Sequence, residues 1–258
     1  MKNLVIALLV FTIVDANAQT FTMKPKGTIS GITVVVQNLY SEINIQGGTA
    51  GDIKIEADNI DTIPEKAAGL RPLSALGPDN TGIGLNITQS GNVVTISGIR
   101  RNPKNSDYRI LLPSNIKLKI VQGGFKSDDI TIRGMTNEME ARSQVGDLTF
   151  VDVTGPIVAS TISSDIKVIF SSINQSSPTS ISSVSGDIDI SLPESSKGNF
   201  KLSSISGEIY TDLNFEQEIK NSSGLFPGGM LINTALNGGG VDVMLRSISG
   251  DIYIRKVK

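Results

Sequence analysis

Six acidic residues recur in one local setting along this 258-residue chain: Asp129, Asp147, Asp165, Asp187, Glu208 and Asp251. The steps between them are 18, 18, 22, 21 and 43 residues. Glycine precedes four of them, as Gly146, Gly186, Gly207 and Gly250, and each opens an apolar-x-apolar triplet except Glu208, whose triplet ends in Thr211. If these positions stack at the spacing of paired strands, carboxylates about 5 Å apart repel one another and something must compensate. Calcium is one solution, since it accepts several carboxylate and carbonyl oxygens at about 2.3–2.6 Å. The other is that each carboxylate accepts a backbone N–H at its own corner, as Asx-turns do. The neighbouring glycine favours the corner, because it supplies a positive φ. The double-glycine, nine-residue calcium repeat of secreted toxins is not present, so no metal is expected.

Other constellations yield no reaction. Asp187 and Asp189 share a strand face at about 7 Å and could be offered as a glycosidase pair, as could Asp128 and Asp129. Alternate charged residues are, however, ordinary on an exposed strand. Ser143, Thr161, Ser183, Ser204 and Ser247 fall at one repeat position, and Ser163, Ser185, Ser206 and Ser249 at another. A nucleophilic serine needs a base, and the chain contains no histidine and no cysteine. That removes Ser-His-Asp and Cys-His catalysis, imidazole or thiolate metal sites, and disulfides. Stacked hydroxyls bridging neighbouring turns is the simpler reading. The runs Gly228-Gly229 and Gly238-Gly239-Gly240 lack the Lys-Ser/Thr of a phosphate loop. A net charge of −2, from 23 basic and 25 acidic residues, gives no electrostatic case for nucleic acid. No catalytic residue and no cofactor are expected.

Binding is better served by the residues at the x positions of the triplets: Thr131, Thr149, Lys167, Asp189, Tyr210 and Tyr253. Tyr210 and Tyr253 are read as equivalent outer sites about two turns apart, with Val241-Asp242-Val243 between them. Exposed aromatic faces stack on sugars or on partner proteins, so Tyr210, Tyr253, Asp189 and Lys167 are the candidate binding residues. The bland alternative is that tyrosine simply covers strand edges.

What must position these residues is a repeat of the form Ser-apolar-Ser-Gly-acid-apolar-x-apolar. Its clearest copies are Ser183–Ile190, Ser204–Thr211 and Ser247–Ile254, with weaker ones at Thr161–Val168 and Ser143–Phe150. Side chains alternate with period two, as strand geometry requires. One such strand cannot bury its apolar side alone, whereas stacking successive copies does. The inward column is expected to run Ile130/Ile132, Leu148/Phe150, Ile166/Val168, Ile188/Ile190, Ile209/Thr211 and Ile252/Ile254. A period near 20 suits one turn of a β-solenoid and is too short for a propeller blade. The chain from 19 to 258 is therefore expected to form one all-β domain, a solenoid of 18–22-residue turns, roughly 10 turns and about 50 Å long. Corners fall at Gly146/Asp147, Asp165, Gly186/Asp187, Gly207/Glu208 and Gly250/Asp251. Residues 57–84 and 215–229 interrupt the repeat as excursions, the former with one helical turn in Glu65–Leu70. Arg255-Lys256-Val257-Lys258 is expected to cap the rod's end, since lysine discourages strand addition.

Met1–Ala18 has the form of a secretory signal peptide: Lys2, an apolar run from Leu4 to Val14, then Ala16-Asn17-Ala18. That run is too short to cross a bilayer, no later stretch is long enough, and no cysteine follows it to carry a lipid anchor. The mature protein is expected to be soluble and exported, to the periplasm, the outer surface or the medium. Gly155-Pro156-Ile157-Val158-Ala159, Val168–Ser172 and Ser183–Ile188, with Asn237–Val241 leading into Ser249–Ile252, resemble the Toastrack-type adhesin family of bacteria. The similarity runs from about Gly27 to Ile254. It implies a right-handed, single-stranded β-helix on an exported or envelope protein, and it carries no catalytic residues over. The function expected is non-enzymatic attachment to a surface glycan or envelope protein through a regular outer face, with self-association open. A polysaccharide-cleaving β-helix and an envelope sensory domain are the rivals.

Overall fold

The computed structural model describes residues 19–257 except 59, 61–64, 68, 71–73, 100–105, 125–126 and 217–228. The leader read over 1–18 and most of the 215–229 excursion lie outside the described residues. The fold is all-β. Two ten-stranded sheets face each other across one apolar core, and neither closes into a barrel.

The chain alternates between the sheets, laying one strand in the back sheet and the next in the front sheet to make a coil. Numbered by position in the stack, coil 1 is Val93–Gly98 with Asp107–Pro113, and coil 2 is Thr33–Gln37 with Ile43–Gly48. Coil 3 is Lys117–Gln122 with Ile130–Arg133, coil 4 is Met139–Ser143 with Leu148–Val153, and coil 5 is Ile157–Thr161 with Ile166–Phe170. Coil 6 is Thr179–Ser183 with Ile188–Leu192, coil 7 is Asp242–Ser247 with Ile252–Lys256, and coil 8 is Gly198–Ser204 with Ile209–Thr211. Neighbouring coils pair parallel and in register, apart from a bulge between Val151 and Val153 where coil 4 meets coil 5.

Stack order and chain order differ at both ends. Of the coils, the chain lays down coil 2 first, then steps back to coil 1, climbs through coils 3 to 6, overshoots to coil 8 and returns to fill coil 7. Antiparallel strands then cover the end coils. Ile53–Asp58 and Gln19–Met23 extend the front sheet beyond coil 1, and Leu85–Ser90 extends the back sheet there. Met230–Leu236 covers coil 8. At coil 1 both sheets are covered, whereas at coil 8 only the back strand is; covering a strand in this way keeps it from recruiting another chain.

The core follows the period-two pattern. Ile130, Leu148, Ile166, Ile188 and Ile252 stand in one row, in register across coils 3 to 7 and essentially without solvent exposure. Ile132, Phe150, Val168, Ile190 and Ile254 form the next inward row. β-Branched residues dominate both rows, which suits a pleated packed surface. The large Phe150, Phe170 and Phe200 share this core with Ala141 and Ala159, so bulk and space alternate between the facing sheets.

Four expectations are corrected here. Eight coils with capping strands replace roughly ten coils, since Ile53–Asp58 pairs antiparallel with coil 1 as part of a cap. Ile209 is only half-buried and Thr211 is exposed, because their strand is the uncovered edge of the front sheet. Val241-Asp242-Val243 leads the back strand of coil 7 and does not separate the two tyrosines. Arg255-Lys256 is no end cap: its strand lies between coils 6 and 8.

Candidate functional site on the front sheet

Register alone assembles the site. Thr131, Thr149, Lys167, Asp189, Tyr253 and Tyr210 occupy one outward row of the front sheet, each opposite the next. All four residues proposed for binding therefore lie side by side. Tyr253 and Tyr210 stand on adjacent coils, not two coils apart, because coil 7 fills the gap that the chain leaves when it moves on to coil 8. Their rings are stacked, with centroids 5.4 Å apart and planes 12° from parallel.

Tyr253 is held from three sides. Its hydroxyl donates to Oδ2 of Asp251 at 3.0 Å. That bond, followed by partial desolvation, raises the phenol above its ordinary ionisation range, since ionising it would put a phenolate against a carboxylate. The Arg255 guanidinium sits 4.9 Å from the ring centroid, within cation–π range. The same Arg255 donates from Nε to both carboxylate oxygens of Asp189, at 3.0 and 3.2 Å. Tyr210, on the edge strand, is 51% exposed and presents its outer face to solvent. The arrangement is an aromatic platform with a fixed orientation.

Beside the platform lies a shallow cavity of about 230 Å³, lined by Asp147, Asp165, Lys167, Asp187, Asp189 and Tyr253 with Thr149. Its carboxylates are partly committed by the backbone. Oδ1 of Asp129 accepts the N–H of Asp147, Asp147 that of Asp165, Asp165 that of Asp187, Asp187 that of Asp251, and Asp251 that of Glu208, all at 2.8–3.0 Å. This carboxylate ladder corrects the expected corner bonding: each Asp accepts from the next coil, not from its own turn. The bonds of Asp147, Asp165 and Asp187 use Oδ1 and leave Oδ2 outside the ladder, whereas both oxygens of Asp189 are taken by Arg255. Among the described residues, no three acidic side chains are grouped so as to hold a metal ion.

The corner glycines also act differently from expectation. Of Gly146, Gly186, Gly207 and Gly250, only Gly146 has a positive φ, at 94°. The others are needed because coils nearly touch there. A Cβ on Gly186 would overlap the Ser164 carbonyl, one on Gly250 that of Gly186, and one on Gly207 that of Gly250. Serine hydroxyls fix the same corners: Ser183, Ser204 and Ser247 accept the N–H of Gly186, Gly207 and Gly250 at 2.8–2.9 Å. Ser204 in turn donates across to the Gly250 carbonyl of coil 7 at 3.2 Å. The serine column is thus a structural seam.

Residues 11–255 match the Toastrack DUF4097 family. The chain belongs to that family. Among solved structures it resembles a "putative cell adhesion protein" from Clostridium sporogenes, at 14% identity and a TM-score of 0.51, over 93% of this chain and 99% of the other. A "putative adhesin" from Bacteroides fragilis aligns at 16% identity over 94% of this chain and 98% of the other, with a TM-score of 0.39. The first similarity extends to the fold alone. No curated protein matches the chain.

Sequence reasoning missed Arg255 as a site residue, although its place two residues after Tyr253 puts it on the same outward face. The 57–84 excursion leaves the stack from the cap beyond coil 1, at the end opposite the platform.

Proposed function

We propose that this Toastrack protein is an exported, non-enzymatic binding protein that takes hydroxyl-rich carbohydrate on the front sheet of a right-handed, single-stranded β-helix. The observation that supports it is the Tyr210–Tyr253 platform, clamped by Arg255 and Asp251 and bordered by outward carboxylate oxygens. A sugar ring lays its C–H face on an aromatic plane, and its hydroxyls donate to carboxylates placed alongside. Because Asp147, Asp165, Asp187 and Asp189 outnumber Lys167 in the cavity, neutral or amino sugars suit it better than acidic ones. Asp187 and Asp189 are bonded to a backbone N–H and to Arg255 respectively, which speaks against their use as a catalytic acid and base. The helix hand rests on the strong preference of parallel crossovers, and export on the leader at Met1–Ala18.

Glycan-array binding of the full mature chain tests the reading. Retention of a neutral glycan that falls about tenfold or more in Tyr253→Ala and Tyr210→Ala is the expected result, since truncating an anchoring aromatic costs roughly 1–3 kcal/mol. No retained glycan, or retention equal in both variants, would overturn it.

A further inference from the structure

The repeat unit contains a second outward feature that alternation alone hides. In the repeat, the apolar residue follows a buried hydroxyl residue (Thr161, Ser183 or Ser247) and so faces water. Ile162, Val184 and Ile248 hold this position on coils 5, 6 and 7, and they are 47%, 40% and 36% exposed. They form a continuous apolar row where the back sheet bends toward the front. On coil 4 the position is Gln144, whose side-chain oxygen accepts the N–H of Gly124 at 3.0 Å. Val121 of coil 3, exposed as well, pairs with Arg142 and so stands in the neighbouring row.

A groove of about 620 Å³ runs along this row, across coils 3 to 7. Four steps of strand spacing make it about 19 Å long. Its other wall is the last outward row of the back strands, in which Arg142, Ser160, Ser182 and Arg246 stand in register. No carboxylate lines it. Arg142 is bonded to Glu140 at 3.0 Å. Arg246, at the coil 7 end, has no acidic partner among the described residues. A channel of this size and shape, apolar along one side and carrying one unneutralised guanidinium at its end, is complementary to a single extended alkyl chain with an anionic head.

We infer that this groove binds a free long-chain fatty acid, with its carboxylate on Arg246 and its chain along Ile248, Val184 and Ile162. The site is separate from the tyrosine platform, on another face of the stack, and does not rest on the carbohydrate reading.

Titration of the full mature chain with palmitate, below its aggregation threshold and followed by calorimetry, tests it. One-to-one binding is expected, weakened about tenfold or more by Arg246→Gln and by Val184→Asp, which sets a charge against the alkyl chain. Ile162→Asp serves as the second variant should Val184→Asp lower the melting temperature. Tyr253→Ala is expected to leave palmitate binding unchanged. Absence of binding, equal binding by the groove variants, equal affinity for hexadecanol, or binding only to anionic phospholipid vesicles would each overturn the inference.

Discussion

Replacing Gly186 with alanine tests whether the coils are as closely stacked as described. The added Cβ would overlap the carbonyl of Ser164 on coil 5 and lie 2.9 Å from the N–H of Asp165. Both are backbone atoms and cannot swing aside, so the two coils must part locally. Two bonds cross that gap: the Asp187 N–H to Oδ1 of Asp165 at 2.8 Å, and the Ile166 N–H to the Asp187 carbonyl at 2.9 Å. Weakening both costs about 1 kcal/mol each, and forcing an atom into packed space adds roughly 1–3 kcal/mol. The total is about 3–5 kcal/mol. At about 2–4 °C per kcal/mol for a domain of this size, the melting temperature should fall by roughly 10 °C. Gly51→Ala is the control, since its Cβ would meet nothing within 4 Å; it should stay within about 0.5 kcal/mol of wild type. Thermal and urea unfolding followed by circular dichroism measures both. A Gly186→Ala protein that melts with wild type would refute the close approach.

Three other perturbations have definite expectations. Asp187→Asn keeps an oxygen for the Asp251 N–H and removes a charge from the acidic column, so its stability should stay within about 0.5 kcal/mol, whereas Asp187→Ala should lose about 1 kcal/mol by denaturant melt. Ser247→Ala strands the buried Gly250 N–H that its hydroxyl accepts at 2.8 Å, and should cost about 1–3 kcal/mol in the same assay. Desolvation, and then the charges of Glu42, Asp128 and Asp58, raise the Asp107 carboxyl above its ordinary range. A raised carboxyl destabilises the fold once pH exceeds its folded value, and the penalty disappears below the unfolded value. Asp107→Asn should therefore raise the melting temperature at pH 7, by no more than about 2 °C after solvent screening, and leave it unchanged in acid.

The middle of the stack was legible because its physics is local. Ile166, Ile188 and Ile252 alternate with polar neighbours, and a one-residue slip would expose every one of them, so the pattern specifies both strand and register. The Tyr253–Asp189–Lys167 row follows from the same periodicity. What the pattern could not carry was the order of the coils at the ends. Coils 6, 7 and 8 present nearly identical edges, so the motif does not distinguish a coil that follows its predecessor from one inserted later; the antiparallel cap formed by Met230–Leu236 marks the overshoot. For that reason Tyr210 and Tyr253 read as two coils apart when they are in contact. The glycines were found for the wrong physical reason, since contact between coils leaves the same residue in the sequence as a positive φ does. Ile162 and Val184 look like core residues until Thr161 and Ser183 before them are known to be buried.

The inserted coil 7 is the central claim, because it brings the tyrosines together. The chain contains no cysteine, so pairs introduced on the outward row report strand order without interference. Asp189→Cys with Tyr253→Cys places thiols on adjacent strands, about 4.8 Å apart, while Asp189→Cys with Tyr210→Cys places them two strands apart, at about 9.6 Å. A disulfide needs Cα atoms within about 7 Å. Intramolecular disulfide formation in the first pair and none in the second is the expected result; efficient closure of the second pair, with the first left open, would contradict the stack.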